Sequence, residues 1–252
     1  MVCMEFGQQN PDVVVLLHGG GLSWWNYRDA AAILAERFHV VLPVLDGHAG
    51  SSDPFTGMEE NADRIIRYVD DHFGGQVLAL GGLSLGGQVA VEMLTRRPDI
   101  ARYALIESAL VCPSKLTADL VGRSLDMSYG LIRQRWFAKV QFAYLRLPRE
   151  LFEDYYRDTC RISKENMKGF LRANAAYGIK PGLSATGARV KIVAGSREVR
   201  SIRESARLLH RAIPGSTLEI LEGYHHGELS CCDPETYARM LTRLCEEEHD
   251  GI

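Results

Sequence analysis

Nowhere in the 252 residues do eighteen apolar side chains run together, so no stretch reads as a bilayer-spanning helix. Residues Met1 to Gln9 lack the basic region and long apolar run of a secretory signal, and a cytoplasmic protein is expected. Six cysteines stand at positions 3, 112, 160, 231, 232 and 245, with no framework spacing and with two adjacent. That pattern excludes a disulfide scaffold and implies free thiols in a reducing compartment. Positive charge is not in excess either. A formal net charge of −3 gives no general pull toward nucleic acid. Internal repeats and low-complexity tracts are absent. With 46% apolar and 24% charged residues, the chain has an ordinary globular composition and ample length for one large domain.

What is present begins with Gly82-Leu83-Ser84-Leu85-Gly86. The apolar run Val77-Leu78-Ala79-Leu80 before it has strand length, and Gly87 to Leu94 after it reads as a helix. Strand, sharp turn and helix form the context in which a serine between two glycines becomes an exposed nucleophile. The glycines remove Cβ atoms that would clash in so tight a turn. The helix that follows points its N-terminus at any developing negative charge.

A second glycine cluster, His18-Gly19-Gly20-Gly21, follows Val13-Val14-Val15-Leu16-Leu17, a run that reads as a strand buried on both faces. Acyl transfer needs two preorganised donors for the oxyanion of the tetrahedral intermediate. The N–H groups of Leu85 and Gly20 are the candidates, with Gly21 as the substitute donor.

Near the end of the chain, Gly223-Tyr224-His225-His226-Gly227 follows a candidate strand, Thr217 to Leu221. It precedes a helix opened by Asp233-Pro234, a cap residue followed by proline. His226 is the expected general base, and its neighbour His225 the alternative. No carboxylate or cysteine cluster with ligand spacing surrounds the pair, so no metal site is expected. An acid must orient the imidazole. Glu198 stands just past the strand-like Val190 to Ala194; Glu107, at the end of the strand-like Tyr103 to Ile106, is the alternative. Arg197 and Arg200 beside Glu198 leave open a plain surface ion pair for it.

With these segments in view, the chain resembles the α/β-hydrolase superfamily, of the compact esterase and lipase-like kind. The resemblance runs from near Val13 to near Glu246. It rests on His18 to Gly21, Asp46-Gly47-His48-Ala49-Gly50-Ser51, Gly82 to Gly87, Gly195-x-x-Glu198 and His226. The order Ser84, Glu198, His226 matches the family's order of nucleophile, acid and base. The Asp46 segment is similar to a turn-shaping loop of the family that is not catalytic. The resemblance implies hydrolysis of esters, thioesters or related acyl bonds without metal or organic cofactor. Glutamate at the acid position departs from the commoner aspartate. An aspartate-dependent dehalogenase or epoxide hydrolase is disfavoured by Ser84. Thioester or C–C bond cleavage stays open, as does a noncatalytic small-molecule receptor on the same fold.

The first half of the chain alternates: a helix over Tyr27 to Arg37, a strand at Val40 to Leu42, and a helix over Met58 to Phe73 with Ala62, Ile65, Ile66 and Val69 on one stripe. The expected fold class is α/β, a mostly parallel doubly wound sheet built of right-handed crossovers. Residues 110–189 break the alternation. Helix-like blocks lie near Thr117–Gly130, Leu131–Leu145, Arg149–Arg161 and Lys164–Tyr177. This stretch is expected to be a helical cap inserted after the sixth strand, on a core domain of residues 1–109 and 190–252. Its aromatics should mostly pack the cap, with Gly21, Trp136 and Phe137 named as candidate lining for an acyl pocket. It carries 14 Lys and Arg against 7 Asp and Glu, so the rest of the chain is acidic. Paired helix faces are the plain reading. A small-molecule ester or acyl substrate is the expected partner, and relatives with arginine-bearing caps suggest an acidic acyl carrier protein as a further one. A monomer or homodimer is expected.

Overall fold

Runs of β-branched residues become strands because their stiff side chains suit a pleated, buried surface. In the computed structural model, which describes residues 1–246, seven strands join in one sheet. They are β1 (Cys3–Phe6), β2 (Val13–Leu17), β3 (His39–Pro43), β4 (Val77–Leu83), β5 (Ala101–Glu107), β6 (Arg189–Gly195) and β7 (Thr217–Leu221). Their order across the sheet is β1-β3-β2-β4-β5-β6-β7. Only β1 runs antiparallel, at the edge beside β3. Residues 247–252, the tail of the expected core domain, lie outside the described residues.

The sheet is apolar on both faces, and the strands sort their side chains by alternation. Val14 and Leu16 of β2 join one core with Trp25, Tyr27, Leu83 and Tyr237. Val15 and Leu17 join the other, with Ala62, Ile65, Val89 and Ile202. One core therefore gathers α1 (Arg28–Leu34) and α10 (Pro234–Glu246), and the other α2 (Met58–Phe73), α3 (Leu85–Arg96) and α8 (Arg200–Ala212). The expected stripe of α2 is buried as read.

Between β5 and β6 the chain forms α4 (Lys115–Ile132), α5 (Arg135–Leu145), α6 (Phe152–Thr159) and α7 (Lys164–Ala176). Ser114 and Ser163 cap α4 and α7 by accepting the N–H groups of Thr117 and Asn166. Several boundaries differ from the sequence reading. The break between α4 and α5 falls at Arg133 and Gln134, past Gly130, because a glycine inside a packed helix need not end it. The block at Arg149 opens as a 3₁₀ turn over Arg149–Leu151 before α6, and the helix expected at Tyr27 is preceded by a 3₁₀ turn at Trp24–Tyr27 and stops at Leu34. The helical segment leaves the sheet after β5, not after a sixth strand. The edge strand β1 escaped the reading because Cys3-Met4-Glu5-Phe6 is short and mixed in polarity. All six cysteines are free.

Long-range polar contacts bind this segment to the sheet domain. The Trp25 indole N–H donates to Asp158 of α6 at 2.9 Å, and Gln88 of α3 donates to the Leu110 and Asn174 carbonyls. The Lys180 ammonium reaches the buried Glu92.

A tight steric constraint sits at the start of α3. A Cβ on Gly86 would stand 2.1 Å from the Leu17 carbonyl oxygen, and one on Gly82 2.4 Å from the Gly86 oxygen. Backbone meets backbone here, so no side chain can yield. Gly86→Ala is expected to cost about 3 kcal/mol or to prevent folding, read from the urea midpoint against wild type.

Candidate active site

Ser84 follows β4 and caps α3 with φ 53° and ψ −111°, a conformation that a non-glycine residue rarely occupies. Holding a residue there costs on the order of 1–3 kcal/mol, and surrounding contacts must impose it. Here the Ser84 N–H donates to the Glu107 carbonyl of β5 at 2.8 Å, while its own carbonyl accepts from Gln88 one turn into α3. The turn presents the Ser84 side chain to a cavity of about 460 Å³. His225, His226 and Glu198 line the same cavity, together with Ala143 to Arg146 from the end of α5 and Asn174 from α7. Ser84 Oγ makes no hydrogen bond among the described residues.

Glu198 follows β6, and its side chain is fully buried. One carboxylate oxygen accepts from Ser108 Oγ at 2.6 Å and from the Gly195 N–H at 2.8 Å. The other meets His226 Nδ1 at 2.7 Å. Burial pushes this carboxyl up, but the hydrogen bonds and the charge of His226 outweigh it and hold the group below the usual carboxylate range. The acid therefore stays ionised against the imidazole. Neither Arg197 nor Arg200 pairs with it, so the surface ion pair left open by the sequence is not formed. His225 lies in the same cavity but makes no contact with Glu198; its backbone N–H donates to Glu228.

The glycine loop after β2 is pinned by neighbours. The Gly19 N–H donates to Asn26 Oδ1 at 3.1 Å and the Gly21 N–H to His48 Nε2 at 3.1 Å. Gly20 lies between them, and its N–H meets no acceptor among the described residues. It stands against Leu85: a Cβ on Gly20 would be 3.4 Å from the Leu85 Cβ. As the first residue of α3, Leu85 has no intrahelical acceptor for its N–H. The two residues whose amides lack an acceptor thus touch each other, and one of them directly follows Ser84. Gly21, expected as the substitute donor, has its N–H engaged by His48.

His18 and His48 hold this loop in place. Each ring accepts a backbone N–H at Nε2, from Leu45 and Gly21 respectively, which leaves Nδ1 to donate to a carbonyl. Burial drives their pKa values down to about 4 and about 3, with the neighbouring His18 contributing to the second. Both are neutral struts.

A model of the alpha/beta hydrolase family matches residues 14–239, nearly the whole described chain. The chain belongs to that family. A soluble epoxide hydrolase from Corynebacterium sp. (strain C12) is 36% identical over 94 residues, which is 37% of this chain and 33% of that protein. The carboxylesterase YbfK of Bacillus subtilis (strain 168) is 31% identical over 104 residues, 40% of this chain and 35% of the relative. The chain thus spans about a third of the length of these two relatives. In fold it is similar to the enol-lactonase from Burkholderia xenovorans LB400, with TM-score 0.82, 16% identity and 98% and 96% of the two chains covered. The family match and the structural likeness agree on the alpha/beta hydrolase fold.

Within this alpha/beta hydrolase, the sequence reading brought Ser84, Glu198, His226, Gly20 and Leu85 to one place. The candidate pocket residues are elsewhere. Trp136 is 61% exposed, and Phe137, in edge contact with its ring, is partly buried against the apolar core; neither is among the residues that line the cavity. Ser108 and Asn26 are not singled out by the sequence, and His48 is read there only as part of a turn-shaping loop. Ser108 reaches Glu198 only because β5 and β6 pair in the sheet, which the residues around it do not reveal.

Glu107 itself is buried between β5 and α9 (Glu228–Cys232), accepting the Ser230 N–H at one oxygen and leaving the other without a partner. Burial raises its pKa to about 7 against hydrogen bonds from Ser230. The folded state therefore holds a proton that the unfolded chain releases near pH 4.5, so this group lowers stability as pH rises from 4.5 to about 7. The buried histidines act in the opposite sense, losing stability as pH falls below 6.5, so only a difference between variants isolates the carboxyl. Glu107→Gln is expected to gain stability relative to wild type across that window, by on the order of 3 kcal/mol at its upper end. Urea denaturation at several pH values checks it.

Proposed function

We propose that the protein is a serine hydrolase that cleaves carboxylic esters through an acyl-enzyme formed on Ser84. The observation that carries this reading is the 2.7 Å contact between His226 Nδ1 and a fully buried Glu198, beside the cavity that Ser84 enters from a strained turn. An imidazole oriented this way has Nδ1 occupied and Nε2 left to take a proton. Ser84 Oγ needs no hydrogen bond to His226 before substrate arrives, since such contacts tighten in the substrate complex.

In this mechanism His226 removes the Ser84 proton as Oγ attacks the ester carbonyl, and Glu198 stabilises the imidazolium. The oxyanion is held by the N–H groups of Leu85 and Gly20, the two amides left free beside the nucleophile. Each such donor is worth about 3 kcal/mol of barrier. Protonated His226 then gives its proton to the leaving alcohol. Water, activated by the same imidazole, attacks the acyl-enzyme and releases the acid. The helical segment 110–189 serves as the cap, its α5 end and Asn174 forming the wall opposite the nucleophile. The acyl pocket is assigned to the lining residues Leu110, Ala143, Leu145, Val199 and Ile202 rather than to Trp136 and Phe137. The carboxylesterase name of the Bacillus relative fits an ester; the epoxide hydrolase name fits less well, since Ser84 occupies the nucleophile position.

Ser84→Ala is expected to lower turnover of a short p-nitrophenyl ester by on the order of ten-thousandfold or more, with unchanged far-UV circular dichroism. A fluorophosphonate probe should label wild type at Ser84 and leave the variant unlabelled. Glu198→Ala should approach the same loss, whereas Glu107→Gln should stay within about tenfold of wild type. Wild-type turnover by Ser84→Ala would remove the nucleophile assignment.

A further inference from the structure

Folding leaves few large apolar side chains in water, and single ones mean little. In this protein they are not scattered. Eight of the thirteen exposed large apolar residues among the described residues lie between positions 116 and 145, on α4 and α5. Leu116, Leu120, Met127 and Leu131 recur on one face of α4, opposite the Ala118, Gly122 and Leu125 face that is buried. Trp136, Val140 and Tyr144 repeat at every fourth residue along α5. Met127 is 88% and Tyr144 84% exposed, so neither stripe is closed by the protein's own packing.

Charge accompanies these stripes. Arg123 falls inside the α4 face, between Leu120 and Met127, and Lys139 sits one turn from Trp136. Neither has a carboxylate partner among the described residues, and nor do Lys115 and Arg149 at the two ends of the pair. The acidic residues of α4 are neutralised from within: Asp119 pairs with Arg172, and Asp126 with Lys164 and Lys168. A helix pair with an apolar stripe containing Trp and Tyr, and with uncompensated cations beside it, has the composition of a surface that lies in the head-group region of a bilayer.

We propose that the exposed faces of α4 and α5 dock the protein on an anionic lipid surface. The apolar residues enter the acyl boundary, and the cations meet lipid phosphates. Two observations select this occupant. Charge complementarity calls for an anionic partner, and a second copy of the chain would set like charges against one another across a two-fold axis. The stripe is also continuous with the catalytic mouth, since Tyr144 and Leu145 belong both to the exposed face and to the wall of the Ser84 cavity. Docking would place that opening at the interface, where amphiphilic esters concentrate.

Co-sedimentation with lipid vesicles tests the proposal. Ser84→Ala protein is used so that the result is independent of turnover and of the proposed reaction. Binding is expected to vesicles of phosphatidylcholine containing phosphatidylglycerol, to weaken as salt is raised, and to be far weaker on phosphatidylcholine alone. Binding should blue-shift Trp fluorescence in wild type but not in Trp136→Phe. Arg123→Gln combined with Lys139→Gln should reduce the partition coefficient about 25-fold, fivefold for each cation removed. Met127→Glu with Val140→Glu should abolish binding, while both pairs keep wild-type turnover of a dissolved short ester when made in active protein. Absence of binding at low salt, equal binding to neutral vesicles, or undiminished binding by the variants overturns the proposal. So does a dimer in sedimentation equilibrium that Met127→Glu with Val140→Glu dissolves, or capture of a soluble acidic protein by a surface that ignores vesicles.

Discussion

A single buried anion organises the site. The Glu198 carboxylate is removed from water, a cost that only direct hydrogen bonds can offset. Its donors come from three separate places: Ser108 after β5, the Gly195 amide at the end of β6, and the His226 ring in the loop before α9. None of these lies near another in sequence. Satisfying one carboxylate therefore fixes three chain crossings at the same edge of the sheet, and the imidazole takes its orientation from that arrangement. Were the donors fewer, the anion would take up a proton and its hold on the ring would weaken.

The same logic of imposed geometry governs the turn at Ser84. Left-handed backbone at a serine is unfavourable alone, and it persists because the start of α3 is wedged against β2 with no room for a Cβ at Gly86. Strain at Ser84 and close packing at Gly86 are two ends of one contact. The glycine loop above is restrained by side chains instead. Asn26 and His48 each hold an amide, and the residue between them is left with its N–H directed at nothing the protein supplies.

Much of this was legible in the sequence, for identifiable reasons. The parallel strands are continuous β-branched or aliphatic runs, so their burial on both faces shows in the residues themselves. Ser84, Glu198 and His226 each follow such a run, and residues that end parallel strands gather at one edge of a sheet. What could not be read depends on tertiary packing. The α4–α5 break falls where the fold turns the chain and not at a glycine. The role of Ser108 emerges only once β5 and β6 are known to be neighbours. Trp136 misled because aromatic content says nothing about which way a helix face points. The uneven charge of the segment 110–189 was visible, but which of its cations are paired was not: Lys164, Lys168 and Arg172 of α7 meet carboxylates of α4, whereas Arg123 and Lys139 meet none among the described residues.

The bond between Trp25 and Asp158 ties the helical segment to the sheet domain close to the glycine loop. Asn26, the next residue, grips the Gly19 amide, so one short turn joins α6 to the glycine loop. Any displacement of α6 must break the indole contact or drag that loop along with it. The roof and the floor of the chamber are in this sense geared together. A ligand or surface that shifts the helices would be felt at the glycine loop without touching it.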